Sequence, residues 1–194
     1  MNKTQLKAIA GIINQTSSND RTRNMFTIEN GNAIFTPDGI VAYEMPMSVL
    51  YQAEEAYGIT IPDTSGSRTV SKVFDEINYK NFINTNLNAK EFLAELKENY
   101  KEIKKLYRQA KGNDLSPKSH PYKIRFNGAI HAYKTSLLID VLTVLGNKAE
   151  IYIDDNKYGN MCIVSDIGRA IICCVMIHSY SKNIEVNKTI EDWN

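Results

Sequence analysis

The dipeptide Asn127-Gly128 constrains this chain more than any other pair of residues. Both tolerate positive φ, and they stand between two short alternating runs, Tyr122 to Phe126 and Ala129 to Ala132, the strongest local signal for a β-hairpin. An apolar segment from Tyr133 to Leu145 follows and stops at Gly146-Asn147. Leu137, Leu138, Val141, Leu142 and Leu145 recur at three- and four-residue steps, which places them on one helical face. Ala149 to Asp154, Met161 to Ser165 and Arg169 to Ile177 then read as three strands. The order is strand, helix, antiparallel meander.

The first part of the chain reads as an earlier, looser version of that unit. Thr4 caps a short helix to Ile13, with Leu6, Ile9, Ile12 and Ile13 as its apolar stripe. Gln15 to Arg23 is polar and suits a loop. Met25 to Ile28, Asn32 to Thr36 and Gly39 to Tyr43 are three short runs broken by Glu-Asn-Gly-Asn and Pro-Asp-Gly, at intervals that fit tight turns. Residues 1–86 and 87–194 are therefore expected to form two helix-and-meander units of an α+β protein, either separate or continuous. Between the meanders, Ser48 to Tyr57 predicts a helical turn and Ile59 to Ile61 a short strand. Thr69 to Tyr79 predicts a helix, and Ile184 to Val186 a final strand in the tail.

Asn88 caps a longer helix from Ala89 to about Lys111, with Glu91 placed for a capping box. Phe92, Leu96, Tyr100, Ile103, Tyr107 and Ala110 make its apolar stripe. Lys97, Lys101, Lys104, Arg108 and Lys111 form a second stripe, with Lys90 and Lys105 beside it. Residues 101–111 carry five basic side chains and one acidic one. Such a row on a rigid helix suits contact with phosphates independent of base sequence. It also suits a solvated face on which Glu91, Glu95, Glu98 and Glu102 pair with the lysines.

A net charge of +1 neither demands nor excludes nucleic acid. No apolar run approaches the roughly 20 residues that span a membrane, and no signal-peptide hydrophobic region opens the chain. Cys162, Cys173 and Cys174 make an odd count with an adjacent pair, neither a disulfide framework nor a zinc spacing, so reduced thiols in strands and a cytoplasmic setting are expected. His120, His131 and His178 lie in no nucleophile or metal motif. Asp154-Asp155 and Asp166 read as turn residues, although as carboxylates they admit a small metal-dependent hydrolase as an alternative. No phosphate-cradling glycine loop is present. The chain is expected to carry no catalytic residue, metal or cofactor.

Phe126-Asn127, followed by Tyr133-Lys-Thr-Ser-Leu-Leu138-Ile-Asp-Val-Leu142, the strand Ala149 to Asp154 and the run Ala170 to Ile177, resembles the last part of a bacterial-type DNA polymerase sliding clamp. Phe35-Thr-Pro-Asp-Gly39-Ile-Val-Ala and Asn88-Ala-Lys-Glu-Phe-Leu-Ala-Glu-Leu96 are similar to a clamp's strand–turn–strand and to the start of a clamp helix. Cys174 stands where the family's closing strand has proline and Met176 where it has arginine, and the chain runs 17 residues past Ile177. It is short for two clamp domains and long for one.

The resemblance implies a DNA-clamp-like fold with helices packed on one sheet face, acting in DNA replication as a processivity factor and homo-oligomer. It implies contact between Lys97, Lys101, Lys104, Lys105, Arg108 and Lys111 and the duplex DNA backbone. It implies docking of a polymerase or other replication-protein peptide beside Val175, Met176 and Ile177. Small size and divergence suggest a phage or mobile-element origin. The alternative is a clamp-like adaptor or inhibitor of the replication machinery that does not encircle DNA.

Overall fold

In the computed structural model, which describes residues 1–63, 70–75, 81–109, 117–155, 159–175 and 185–190, the hairpin forms where Asn127-Gly128 places it. Strands β5 (Pro121–Phe126) and β6 (Ala129–Lys134) are joined by Asn127 at φ 47° and Gly128 at φ 79°, two successive left-handed residues that match the twist of the flanking strands. Helix α6 (Thr135–Leu145) follows without a break, and Leu138, Val141, Leu142, Val144 and Leu145 are all buried. Each such side chain contributes about 1.5–3 kcal/mol on burial, so packing rather than capping holds this helix, which has no side-chain cap at Lys134. Gly146, at φ 91°, ends it. Strands β7 (Glu150–Asp154), β8 (Met161–Ser165) and β9 (Gly168–Ile172) complete the meander.

The N-terminal half has the same order. Helix α1 (Lys3–Ser18) is capped by Asn2, not Thr4: Asn2 Oδ1 accepts from the Gln5 N–H at 2.9 Å and Gln5 Oε1 accepts from the Asn2 N–H at 3.2 Å, a capping box in which glutamine completes the exchange. The helix runs five residues past Ile13, because Thr16 and Ser17 donate back to the Ile12 and Ile13 carbonyls at 2.8 and 2.9 Å instead of breaking it. The expected loop is thus mostly helical, with a further short helix α2 (Asp20–Arg23). Strands β1 (Thr27–Glu29), β2 (Asn32–Phe35) and β3 (Val41–Pro46) then form the first meander.

The two meanders meet at their third strands. Strand β3 pairs antiparallel with β9, Val41 opposite Ile172 and Glu44 opposite Arg169. One seven-stranded sheet results, in the order β1-β2-β3-β9-β8-β7-β4, where β4 (Phe82–Asn84) is an edge strand paired with β7 that the sequence did not announce. Helices α1 and α6 lie side by side, so each half repeats helix plus meander about a local two-fold through the β3–β9 joint. Residues on both sides of position 86 share this sheet and a single core cluster.

The segment between the meanders completes the fold. Helix α3 (Met47–Tyr57) packs on α1, and the short helix α4 (Ser71–Asp75) lies over the opposite sheet face, where Val70 and Phe74 cover Ile34, Ala42, Cys162 and Ile171. Ile59 to Ile61 is not a strand. The longer helix α5 (Ala89–Gln109) packs on α6, which gives a helix layer in the order α3-α1-α6-α5. A second sheet, β10-β5-β6, ends in β10 (Lys188–Ile190), parallel to β5 and a few residues beyond the expected tail strand. Cys173 and Cys174 lie past the end of β9, not in it. No helix among the described residues is long and apolar enough to cross a membrane.

Gly168 makes the central joint possible. Its φ is +138°, and a Cβ there would lie inside the van der Waals shell of the Glu44 carbonyl oxygen on β3. Gly168→Ala is expected to destabilise the protein by about 2–4 kcal/mol, the sum of backbone strain and overpacking. Gly39→Ala, in an open turn, is expected to cost only about 1 kcal/mol of backbone strain. Urea unfolding of the two variants checks the difference.

Candidate nucleic-acid interface

Helix α5 begins where Asn88 Oδ1 accepts from the Lys90 and Glu91 N–H groups at 3.1 and 3.2 Å. Phe92, Leu93, Leu96 and Ile103 are buried, Tyr100 and Tyr107 half-buried. Leu106 is 62% exposed and so lies outside the buried stripe. Ala110 and Lys111 lie outside the described residues.

At about 100° per residue, Lys97, Lys101, Lys104 and Arg108 return to one direction, and all four are exposed. Their row borders Tyr100, over whose ring Lys104 Nζ stands 4.3 Å from the centroid. The glutamates occupy a strip roughly a third of a turn away. Two pair with the basic side: Lys101 Nζ lies 2.5 Å from Glu98 Oε1 and Lys105 Nζ 2.6 Å from Glu102 Oε1. These four side chains are 64–70% exposed, and ion pairs so wet contribute at most about 1 kcal/mol, so phosphates compete readily for the lysines. Lys97 and Arg108 have no ion-pair partner among the described residues.

Glu95 differs from its neighbours. It accepts from the Tyr122 hydroxyl on β5 and from Lys188 Nζ on β10 at 2.5 Å. Burial, and then the hydrogen bond to Glu95, push the Tyr122 phenol well above its ordinary range. Glu95 is thus structural: it fastens the smaller sheet to α5 and leaves the basic row on the other flank.

Of the expected partner-docking positions, Val175 lies past the end of β9 rather than in a closing strand. Strand β9 stops at Ile172 because the chain crosses from one sheet to the other: the Cys173 N–H donates to the Ile40 carbonyl at 3.0 Å and the Val175 N–H to the Ala132 carbonyl at 2.8 Å. Val175 is half-buried in this strap, and Met176 and Ile177 lie outside the described residues. The carboxylates of the metal alternative are likewise not assembled. Asp154 is buried at the end of β7, and Asp155 accepts from the Asn127 amide at 2.9 Å. Asp166 sits in the turn at the far end of β8, and no group of three metal-ligating side chains occurs among the described residues.

Compared with known proteins, the chain matches no family model, no curated sequence and no solved structure.

The fold also gathers residues whose separation in sequence hid them. A cavity of about 430 Å³ opens between α1, α5 and the start of α6, lined by Asp38, Tyr100, Lys118, Lys134, Leu137 and Asp140 among others. No local motif links these positions.

His131, expected to be a strand residue, lies on β6 and is 4% exposed. Its ring fills the space above Gly159, where a Cβ would collide with it. Burial pushes its pKa below 6.5, against the opposing pull of Asp154 and Asp155, and burial does the same for His120, aided by Lys123. A histidine whose folded pKa is depressed binds protons more readily unfolded, so its contribution is present above the unfolded pKa and is lost as pH falls. Stability is expected to decline between about pH 7 and pH 5.5, and less steeply in His131→Gln. Urea midpoints across that range check it.

Proposed function

We propose that this chain is a non-enzymatic, clamp-like protein of DNA replication. Lys97, Lys101, Lys104, Lys105 and Arg108 of α5, with Lys111 beyond it, contact the backbone of duplex DNA without reading its bases, and other surfaces dock a polymerase or another replication protein. One observation carries this reading: the coherent row of exposed cations lies along a helix of the layer that covers one face of a two-fold-repeated antiparallel sheet. A rigid row of this kind gains affinity by releasing counterions, which makes binding tolerant of sequence and sensitive to salt. A homo-oligomer that closes around the duplex is the arrangement this reading favours.

A second reading is favoured by a different observation. The exposed residue of α6, in the middle of the helix layer, is Asp140, and α1 presents Gly11, Asn14 and Gln15 beside Lys7. A ring whose central helices face DNA calls for cations there. An adaptor or inhibitor that binds replication proteins without encircling DNA does not.

Duplex DNA binding at several salt concentrations, together with the solution mass from light scattering, separates the two. On the first reading, Lys101→Glu with Lys104→Glu weakens binding by about tenfold or more at low salt and lowers the log–log salt slope by about 2. Glu98→Gln with Glu102→Gln, which frees two lysines, strengthens it. A monomer whose affinity for DNA is negligible and unmoved by these substitutions sinks the processivity role and leaves the adaptor.

A further inference from the structure

We infer that a second pocket, between α2, α4 and the β3–β9 joint, binds a small uncharged molecule with an apolar ring and a hydrogen-bond donor beside an acceptor. It lies on the sheet face away from the helix layer and is independent of the proposed DNA contacts on α5. Its volume of about 280 Å³ stands at the lower bound of the range, about 300–1,000 Å³, in which proteins hold small ligands. That size suits a single ring rather than a nucleotide or a large cofactor.

Most of the lining is apolar. Met25, Ala42, Val70, Val73 and Ile171 face the pocket, and all five belong to the hydrophobic cluster that α4 covers on the outer sheet face. Helix α4 is only five residues long, so it leaves part of that cluster open, and an apolar ring gains by displacing water from it.

Two polar groups fix the ligand's polar edge, and both are held before any ligand arrives. Thr36 is 4% exposed, and its Oγ1 accepts from the Gly39 N–H at 2.7 Å. Its own hydroxyl proton has no acceptor among the described residues, an unspent donor at the wall of the pocket. Asp38 spends one oxygen on the same turn, accepting from the Ile40 and Val41 N–H groups at 2.9 and 3.1 Å. Its other oxygen is an acceptor with no partner among the described residues. The Cys173 N–H donates to the Ile40 carbonyl at 3.0 Å, which fastens this turn to the end of β9. The Thr22 hydroxyl, by contrast, is spent on the Thr16 and Asn19 carbonyls at 3.1 and 3.2 Å.

The charges in the lining select against ions. Arg21, which makes no ion pair among the described residues, and Asp38 are of opposite sign, so an anion or a cation gains from one and loses to the other. A neutral group that donates to Asp38 and accepts from Thr36 meets both unspent partners.

A phenol, which donates and accepts through one oxygen, and an aromatic primary amide, which uses two atoms, share this chemistry. Titration of the full chain, followed by backbone amide shifts in NMR, distinguishes them, with p-cresol in one arm and benzamide in the other. The controls are 4-methylanisole, which lacks the donor, and the ions benzoate and benzylamine. At least one arm is expected to bind with a Kd below about 1 mM and to move the Gly39 to Ala42 and Cys173 amides. Asp38→Asn keeps the oxygen that serves the turn and replaces the free acceptor by a donor, and Val73→Trp fills the pocket. Each is expected to weaken binding by about tenfold, for Asp38→Asn the loss typical of a charged hydrogen bond, while Lys101→Glu leaves it unchanged. The inference is overturned if neither arm reaches that affinity, if the shifts fall elsewhere, if any control binds as well, or if either substitution leaves the affinity intact.

Discussion

The antiparallel pairing of β3 with β9 is the constraint on which the rest of the structure depends. Each three-stranded meander alone offers one apolar face and two open edges, a poor basis for independent stability. Joined through Val41–Ile172 and Glu44–Arg169, they make a single sheet broad enough to seat α1 and α6 together. The joint is specified twice. Gly168 lets the backbones approach, and Glu44 receives Arg169 at 2.5 Å while also accepting from the Asn32 amide at 2.9 Å. Arg169 in turn stands 5.0 Å from the Phe74 ring, so the same side chain that fixes the register also anchors the segment crossing the outer face.

Local features were legible in proportion to how far local chemistry decided them. The Asn127-Gly128 turn, the apolar face of α6 and the Asn88 cap of α5 all rest on contacts within a few residues, and they stand as the sequence implies. The C-terminal half of α1 did not, because Thr16 and Ser17 look like loop formers until their hydroxyls are seen bonded one turn back. Strand β4 owes its existence to an edge of β7 that lies about 70 residues away in sequence, and no periodicity in three residues can signal that. The end of β9 was misplaced for a related reason. An apolar run continues to Ile177, but the chain leaves the sheet at Cys173 to satisfy β6.

The same distinction governs the candidate sites. The cation row of α5 is a helical repeat and was visible as one, although which glutamates pair outward and which one, Glu95, turns inward depended on where β5 and β10 fall. The four charged residues around the cavity come from three separate elements and a turn, so only the fold reveals them as neighbours. Charge on α5 and charge around the cavity therefore differ in kind. One is a surface stripe in high dielectric, loosely self-paired and exchangeable. The other is a set that lines a concavity, with Lys118 and Asp38 both acting on Asp140.

Strand β10 gives the smaller sheet a distinctive life history. Its partner β5 lies more than 60 residues upstream, and parallel pairing across such a distance carries a loop-closure cost that the neighbouring hairpin avoids. Helix α6 and the β5–β6 hairpin are assembled from contacts a few residues apart, whereas β10 docks only onto a surface already built. Three ladder residues, the Glu95–Lys188 pair, the Asn187–Lys123 hydrogen bonds and the burial of Ile190 in the main core then retain it. The edge of β5 that β10 covers is therefore closed by a long-range contact, whereas every pairing of the β5–β6 hairpin is local.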